Sequence, residues 1–198
     1  MKRRLLLTIA LSGLSLRGFS QSNGTFEQDY YLGENRSFCW VPVVGYCTPG
    51  NWYFEARCNY EAINSASVYF GKAFRKKALI SYFIIPIAGL VMGRFNGGSV
   101  GANVGLDYKK ISFSSQSQYT FSIKNRATNF TYSWSDLTYQ LKGWVAAGFS
   151  LQQTRGLFEK GILLRGEYKN LSIPLYVFNP GTTSERYFVV GLNVEWGR

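Results

Sequence analysis

The stretch NWYFEARCNYE, residues 51 to 61, decides how the rest of the chain is read. Its even positions, Trp52, Phe54, Ala56, Cys58 and Tyr60, are apolar or aromatic, while its odd positions, Tyr53, Glu55, Arg57, Asn59 and Glu61, are mostly polar or charged. A period of two belongs to a β-strand, whose successive side chains point to opposite faces. Two architectures accept such a strand. A soluble sheet buries the aromatic row in a core and wets the charged row, whereas a membrane barrel turns the aromatics to lipid and the charges to its lumen.

The same texture continues downstream. Runs at 65–75, 79–94, 99–109, 110–123, 129–141, 144–153, 161–169, 171–178 and 186–196 are rich in aromatic and β-branched residues and are broken by turn residues. With the opening stretch they make about ten strands, and no long helical pattern competes with them. The most apolar run, ALISYFIIPIAGLVM at 78–92, is shorter than the ~20 residues of a membrane helix and contains Pro86, so it reads as a strand with an irregularity or bulge at the proline. Between 129 and 141 the apolar parity switches, from Phe130, Tyr132 and Trp134 to Leu137, Tyr139 and Leu141, which predicts a β-bulge near Ser135 or Asp136.

Run length separates the two architectures. Strands that cross a bilayer need ~9–11 residues, against about 5–6 for the usual globular strand, and these runs match the longer class. Connections read as tight near Lys110, Lys142 and Asn170 and as longer at 124–128, 154–160 and 179–185. That alternation is the habit of outer-membrane barrels, with short turns on one side and longer loops on the other. An open sheet edge is not tolerated in lipid, so an even number of strands must close on itself. The expected fold is therefore all-β: a closed antiparallel up-and-down transmembrane barrel over 51–198 of about ten strands, with eight or twelve as alternatives.

The leader MKRRLLLTIALSGLSL, basic then apolar, reads as a secretory signal peptide over 1–20. Residues 21–50 read as an N-terminal extension carrying at most one short strand or a lumenal segment. Removing the leader's Lys2, Arg3, Arg4 and Arg17 lowers the net charge from +11 to +7. For an exported chain this basic balance points to anionic head groups and lipopolysaccharide phosphates, with no nucleic acid partner. Cys39 and Cys47 are spaced to close a small disulfide loop in an oxidising compartment, the alternative being that all three cysteines, Cys58 included, stay reduced.

In the barrel geometry Glu55, Arg57, Glu61, Asp107, Arg165, Glu167, Lys169 and Glu195 become the lumen-lining candidates. Trp52, Tyr60, Tyr108, Tyr168 and Trp196 become interfacial aromatics. A crossed cluster of charged groups filling a narrow barrel and a pore lined by the same groups are both open at this point. The chain has no histidine, which excludes Ser-His-Asp triads and other His-based acid–base catalysis. No metal or cofactor motif is present, and no enzyme is expected. Lys124, Arg126, Arg155, Lys160 and Arg186 make the longer connections basic, suited to head-group contact or to a protein partner at the outer loops.

The last segment, RYFVVGLNVEWGR at 186–198, resembles the closing strand of Gram-negative outer-membrane β-barrel proteins, with Trp196 in the place of the terminal aromatic and Gly197 and Arg198 after it. The Gly18-Phe19-Ser20 ending of the leader resembles export signals of Bacteroidota. The resemblance implies an outer-membrane location, contact with outer-membrane lipid and lipopolysaccharide, insertion by the barrel-assembly machinery, no cofactor, and a structural or narrow-pore role in the envelope. The competing expectation is a soluble periplasmic or secreted β-barrel that binds an apolar ligand.

Overall fold

The computed structural model describes residues 22–33 and 36–197; the leader expected over 1–20 lies outside them. Twelve antiparallel strands form one sheet that closes on itself. In chain order they are β1 (Asn23–Gly33), β2 (Arg36–Cys47), β3 (Trp52–Cys58), β4 (Ser65–Lys72, continued by Phe74–Lys76), β5 (Ser81–Gly93), β6 (Gly97–Tyr108), β7 (Ile111–Ser122), β8 (Phe130–Lys142), β9 (Val145–Thr154), β10 (Leu157–Tyr168), β11 (Leu171–Phe178) and β12 (Tyr187–Trp196). Each strand pairs with its sequence neighbours, and β1 pairs with β12 from Gly24↔Trp196 to Leu32↔Phe188 to close the barrel. Closure leaves no edge with unpaired backbone groups.

All ten runs expected as strands are strands, and the two further ones come from the segment read as an extension. Residues 21–50 supply β1 and β2, so the barrel starts at Asn23. Their alternation is masked in the sequence for two reasons. Gln28 interrupts the outward row Phe26, Tyr30 and Leu32, and in β2 Val41 and Val43 are buried inward while Val44 is exposed outward.

The barrel is inside-out relative to a soluble protein. Buried positions hold Glu55, Arg57, Ser67, Ser99, Gln118, Thr120, Asp136, Thr138 and Gln152, whereas Trp52 (45% exposed), Phe54 (46%), Leu90, Phe149, Ile162 and Leu164 point outward. Strands ~4.8 Å apart and tilted about 40° put the backbone wall of a twelve-stranded barrel roughly 12 Å from its axis. Large side chains from opposite walls therefore meet, while small ones leave a bore.

Two local expectations are corrected, and the irregularity expected at Pro86 is found as a lapse in one ladder. No bulge occurs at Ser135 or Asp136, since β8 pairs in unbroken register with β7 from Ile111↔Tyr139 to Thr120↔Phe130. The parity switch has another cause: Phe130, Tyr132 and Trp134 face the lumen, and Ser133 and Ser135 face outward. Those two hydroxyls lie 2.8 Å from Ser117 Oγ and 2.9 Å from Ser115 Oγ across the β7–β8 ladder, which supplies the partners that a hydroxyl on an apolar surface requires. At Pro86 the β5–β6 register is regular; instead the β4–β5 ladder opens between Gly71↔Ile87 and Phe74↔Ile84 without a shift, because proline has no N–H to donate. Finally, 154–160 is no long connection. Strands β9 and β10 run to a two-residue turn in which Arg155 and Gly156 both have positive φ, the twist that tight hairpins favour.

Both described ends of the chain and the turns 48–51, 77–80, 109–110, 143–144 and 169–170 lie at one end of the barrel. The connections 59–64, 94–96, 123–129, 155–156 and 179–186 lie at the other. Short 3₁₀ turns, Arg126–Thr128 and Thr183–Glu185, shape two of the latter.

Candidate functional site: the barrel lumen

The inward row of β3 begins the site. Tyr53, Glu55 and Arg57 point inward, and the connection 59–64 that follows turns in after them. Asn59 and Asn64, both in the left-handed region, bracket this loop. Asn59 Nδ2 donates to the Trp40 carbonyl (3.0 Å), and its Oδ1 accepts from the Asn64 amide (2.8 Å). Pinned in this way, the loop carries Tyr60 and Glu61 into the lumen.

A dense polar block results. The Arg57 side chain, 1% exposed, pairs with Glu55 and lies 3.7 Å from Glu61, and its Nη1 donates to Gln118 Oε1 (2.7 Å) on β7, four strands away. Its guanidinium is sandwiched between the rings of Tyr60 and Tyr69, each 4.3 Å from centroid to carbon. Glu61 accepts from Ser67 Oγ (2.8 Å) and Tyr69 OH (2.7 Å); Tyr53 donates to Glu55, and Tyr60 donates to Gln116 across the lumen. A buried arginine with two carboxylates and two aromatic faces is desolvated at the expense of several kcal/mol, which the ion pairs and hydrogen bonds offset.

An aromatic block faces it. Trp134 on β8 meets Tyr176 (5.0 Å between centroids) and Phe178 (5.5 Å) on β11, and Phe178 stacks on Tyr187 (4.9 Å) of β12. Tyr31 on β1 reaches Trp134 at 6.4 Å, a contact between strands that are not neighbours. Room for this stacking comes from Gly161, where a Cβ would stand 3.0 Å from the Phe178 ring. On the loop side of the two blocks is a vestibule of about 440 Å³ whose walls include Tyr31, Cys39, Tyr60, Glu61, Tyr132 and Gln152.

On the terminus side the lumen carries carboxylates beside an apolar cluster that includes Cys47, Tyr53, Ile85 and Ile87. Two residues along β1 from Tyr31 is Asp29, and two residues along β8 from Trp134 is Asp136, so both carboxylates lie beneath the ring pair and within each other's field. Asp136 accepts from Ser150 Oγ (2.6 Å), Trp134 Nε1 (2.9 Å) and Tyr176 OH (3.0 Å), all neutral donors. Asp29 rests against Gly191, where a Cβ would come within 2.9 Å of its carboxylate and 2.6 Å of Pro174. Glu27 and Asp107 are exposed to the interior space.

Of the lumen candidates, Glu55, Arg57, Asp107, Arg165, Glu167 and Glu195 lie on inward rows, and Glu61 enters from its loop. Arg165 pairs with Glu167 (2.9 Å) in a half-exposed position away from the Arg57 block. Lys169 is a correction: it occupies a turn with positive φ and places its ammonium 5.3 Å from the Tyr168 ring on the outer rim. Tyr60 is a second correction, because the inward fold of 59–64 takes it from the expected interface into the lumen. Trp52, Tyr108, Tyr168 and Trp196 stand on the outer face at the terminus end, three of them beneath the ammonium groups of Lys72, Lys109 and Lys169. The Cys39–Cys47 loop is a third correction. Both thiols are free on the same strand, eight residues and so ~26 Å apart.

Sequence reasoning missed Glu27, Asp29 and Tyr31 by leaving β1 outside the barrel, and missed Trp134 and Asp136 by assigning the aromatic parity of β8 to lipid. The acid pair Glu27 and Asp29 at strand spacing was the available signal. Among the described residues no group of His, Cys, Asp and Glu side chains is arranged to hold a metal ion.

No protein-family model matches the chain, and no curated protein matches it. Solved structures do. The KdgM porin is similar with a TM-score of 0.64 at 12% identity, covering 86% of this chain and 98% of that one. The KdgM porin in complex with disordered oligogalacturonate gives 0.58 at 12% identity, covering 87% and 98%. The NanC porin gives 0.55 at 11% identity, again covering 87% and 98%. At these identities the likeness establishes the fold, a closed porin-like barrel.

Proposed function

We propose that the protein is an outer-membrane β-barrel of the porin type that forms a narrow passage for small hydrophilic solutes, exported through its N-terminal leader. The observation that carries this reading is the inside-out distribution of side chains. An apolar belt circles the outer wall, far beyond the roughly 300–600 Å² patch that a soluble monomer tolerates, while the interior holds hydrogen-bonded and charged groups beside packed aromatic rings. The aromatic–lysine pairs at the terminus end suit a membrane–water interface, and the basic collars suit anionic head groups and lipopolysaccharide. The porin likeness of the fold and the complex of the KdgM porin with an oligogalacturonate support a passage for solutes in a barrel of this size. A soluble barrel holding an apolar ligand would turn a polar outer face to water, and the outer face here is apolar on every strand from Phe54 and Leu90 to Phe149 and Ile162.

The Arg57 and aromatic blocks form the constriction. They also support a second reading, in which the lumen stays closed and the barrel serves the envelope structurally. Planar-bilayer recording of the detergent-folded protein separates the two. Small, stable conductance steps are expected, and Tyr60→Ala, which removes the contacts to Gln116 and Tyr132, is expected to enlarge them. Silence from a folded preparation would leave only the structural reading.

A further inference from the structure

The inward rows carry a charge sign that the chain as a whole conceals. Without its leader the sequence is basic, yet Lys72, Lys109, Lys110, Lys142 and Lys169 lie in turns and strand ends. The carboxylates occupy the inward rows instead. Among the described residues the arginines of those rows away from the rims are Arg57 and Arg165, and both are already matched, Arg57 by Glu55 and Glu61 and Arg165 by Glu167. Arg75 shares the inward register but stands exposed at the terminus-end rim. Glu27, Asp29, Asp107 and Asp136 lie on the same inward rows, and among the described residues none of these four has an ion pair. The Arg57 block itself contributes one cation against two anions.

Position decides which charges matter. The basic collars lie at the mouths in contact with bulk solvent, where screening over ~8 Å blunts them. Glu27, Asp29 and Asp136 lie inside low-dielectric walls, which focus a field, and acidic rings in such walls are how cation channels discriminate. We propose that the lumen passes small cations and cationic solutes in preference to anions, with Glu27, Asp29 and Asp136 as the selecting carboxylates. The inference rests on the pore reading above and adds the class of solute to it.

The test is the reversal potential of the folded protein in a neutral phosphatidylcholine bilayer under a KCl gradient. A cation-selective sign is expected in the unmodified chain, with a several-fold fall in the potassium-to-chloride permeability ratio in Glu27→Gln/Asp29→Asn and in Asp136→Asn. Heat-modifiable mobility verifies that each variant is folded. Acidification of both chambers protonates carboxylates and is expected to erase the preference without any mutation, so the test does not depend on variant folding. Current that is anion-selective or indifferent overturns this inference and leaves the pore reading standing. Unchanged selectivity in the folded variants overturns the choice of carboxylates. Silence from a folded preparation removes the pore reading, and this inference falls with it.

Discussion

Arg57 points into the barrel with its side chain fully buried. In the sequence it is the lone cation of an alternating stretch; in the barrel its guanidinium ties together β3, the inward loop and β7 through Glu55, Glu61, Gln118 and two tyrosine rings. Arg57→Met keeps much of the volume and removes the charge. It leaves two carboxylates side by side in a desolvated block, and a loss of ~3–5 kcal/mol is expected on the scale for broken buried ion pairs. Urea unfolding in detergent, followed by gel mobility, reads this as an earlier transition. The triple variant Glu55→Gln/Arg57→Met/Glu61→Gln should recover most of the loss, because the cost resides in the unmatched anions. A single variant as resistant to urea as the parent would refute the block as a stabilising unit.

At the scale of elements, small residues decide how closely strands and side chains approach. Gly148 on β9 faces inward where a Cβ would stand 2.0 Å from the Leu137 carbonyl oxygen and 2.8 Å from the Thr138 Cα, both backbone atoms of β8. Side-chain rotation cannot relieve that clash. Gly148→Ala is therefore expected to force β8 and β9 apart at a cost of ~1–3 kcal/mol. Gly143→Ala, in a turn where nothing lies within 4 Å of the added carbon, should be near neutral. Equal urea midpoints for the two variants would show that the ladder accommodates the methyl group. Prolines act by a related rule. Pro86 on β5 and Pro174 on β11 each stand where a neighbouring ladder lapses for two residues without losing register. A missing donor thus opens the sheet locally while the pairing on either side keeps it aligned.

For the whole molecule, closure by the β1–β12 ladder makes stability a property of the ring. An intact barrel with no free edge resists detergent until heated, so the unboiled protein is expected to migrate faster on a gel than the boiled one and to partition with outer membranes. Recovery as a soluble monomer without detergent would defeat the membrane reading. Much of this architecture is legible in the sequence. The alternation of NWYFEARCNYE, the long runs and the final strand ending at Trp196 lead to a closed barrel with Glu55, Arg57 and Glu195 inside. Strand number is not legible to the same degree, because β1 and β2 mix apolar residues onto both faces.

The order of residues encodes the period-two pattern, and with it the strand class, the even closed ring and the inside-out sense of most strands. These follow from local backbone geometry, which the order of residues encodes directly. Packing across the ring is what folds 59–64 inward, brings Tyr60 into the lumen, sets the aromatics of β8 opposite Tyr31 and leaves the unmatched interior charges acidic. Those facts depend on which strands stand opposite one another across a ring some 12 Å in radius. A pattern with a period of two residues specifies a face but carries no information about the wall it confronts.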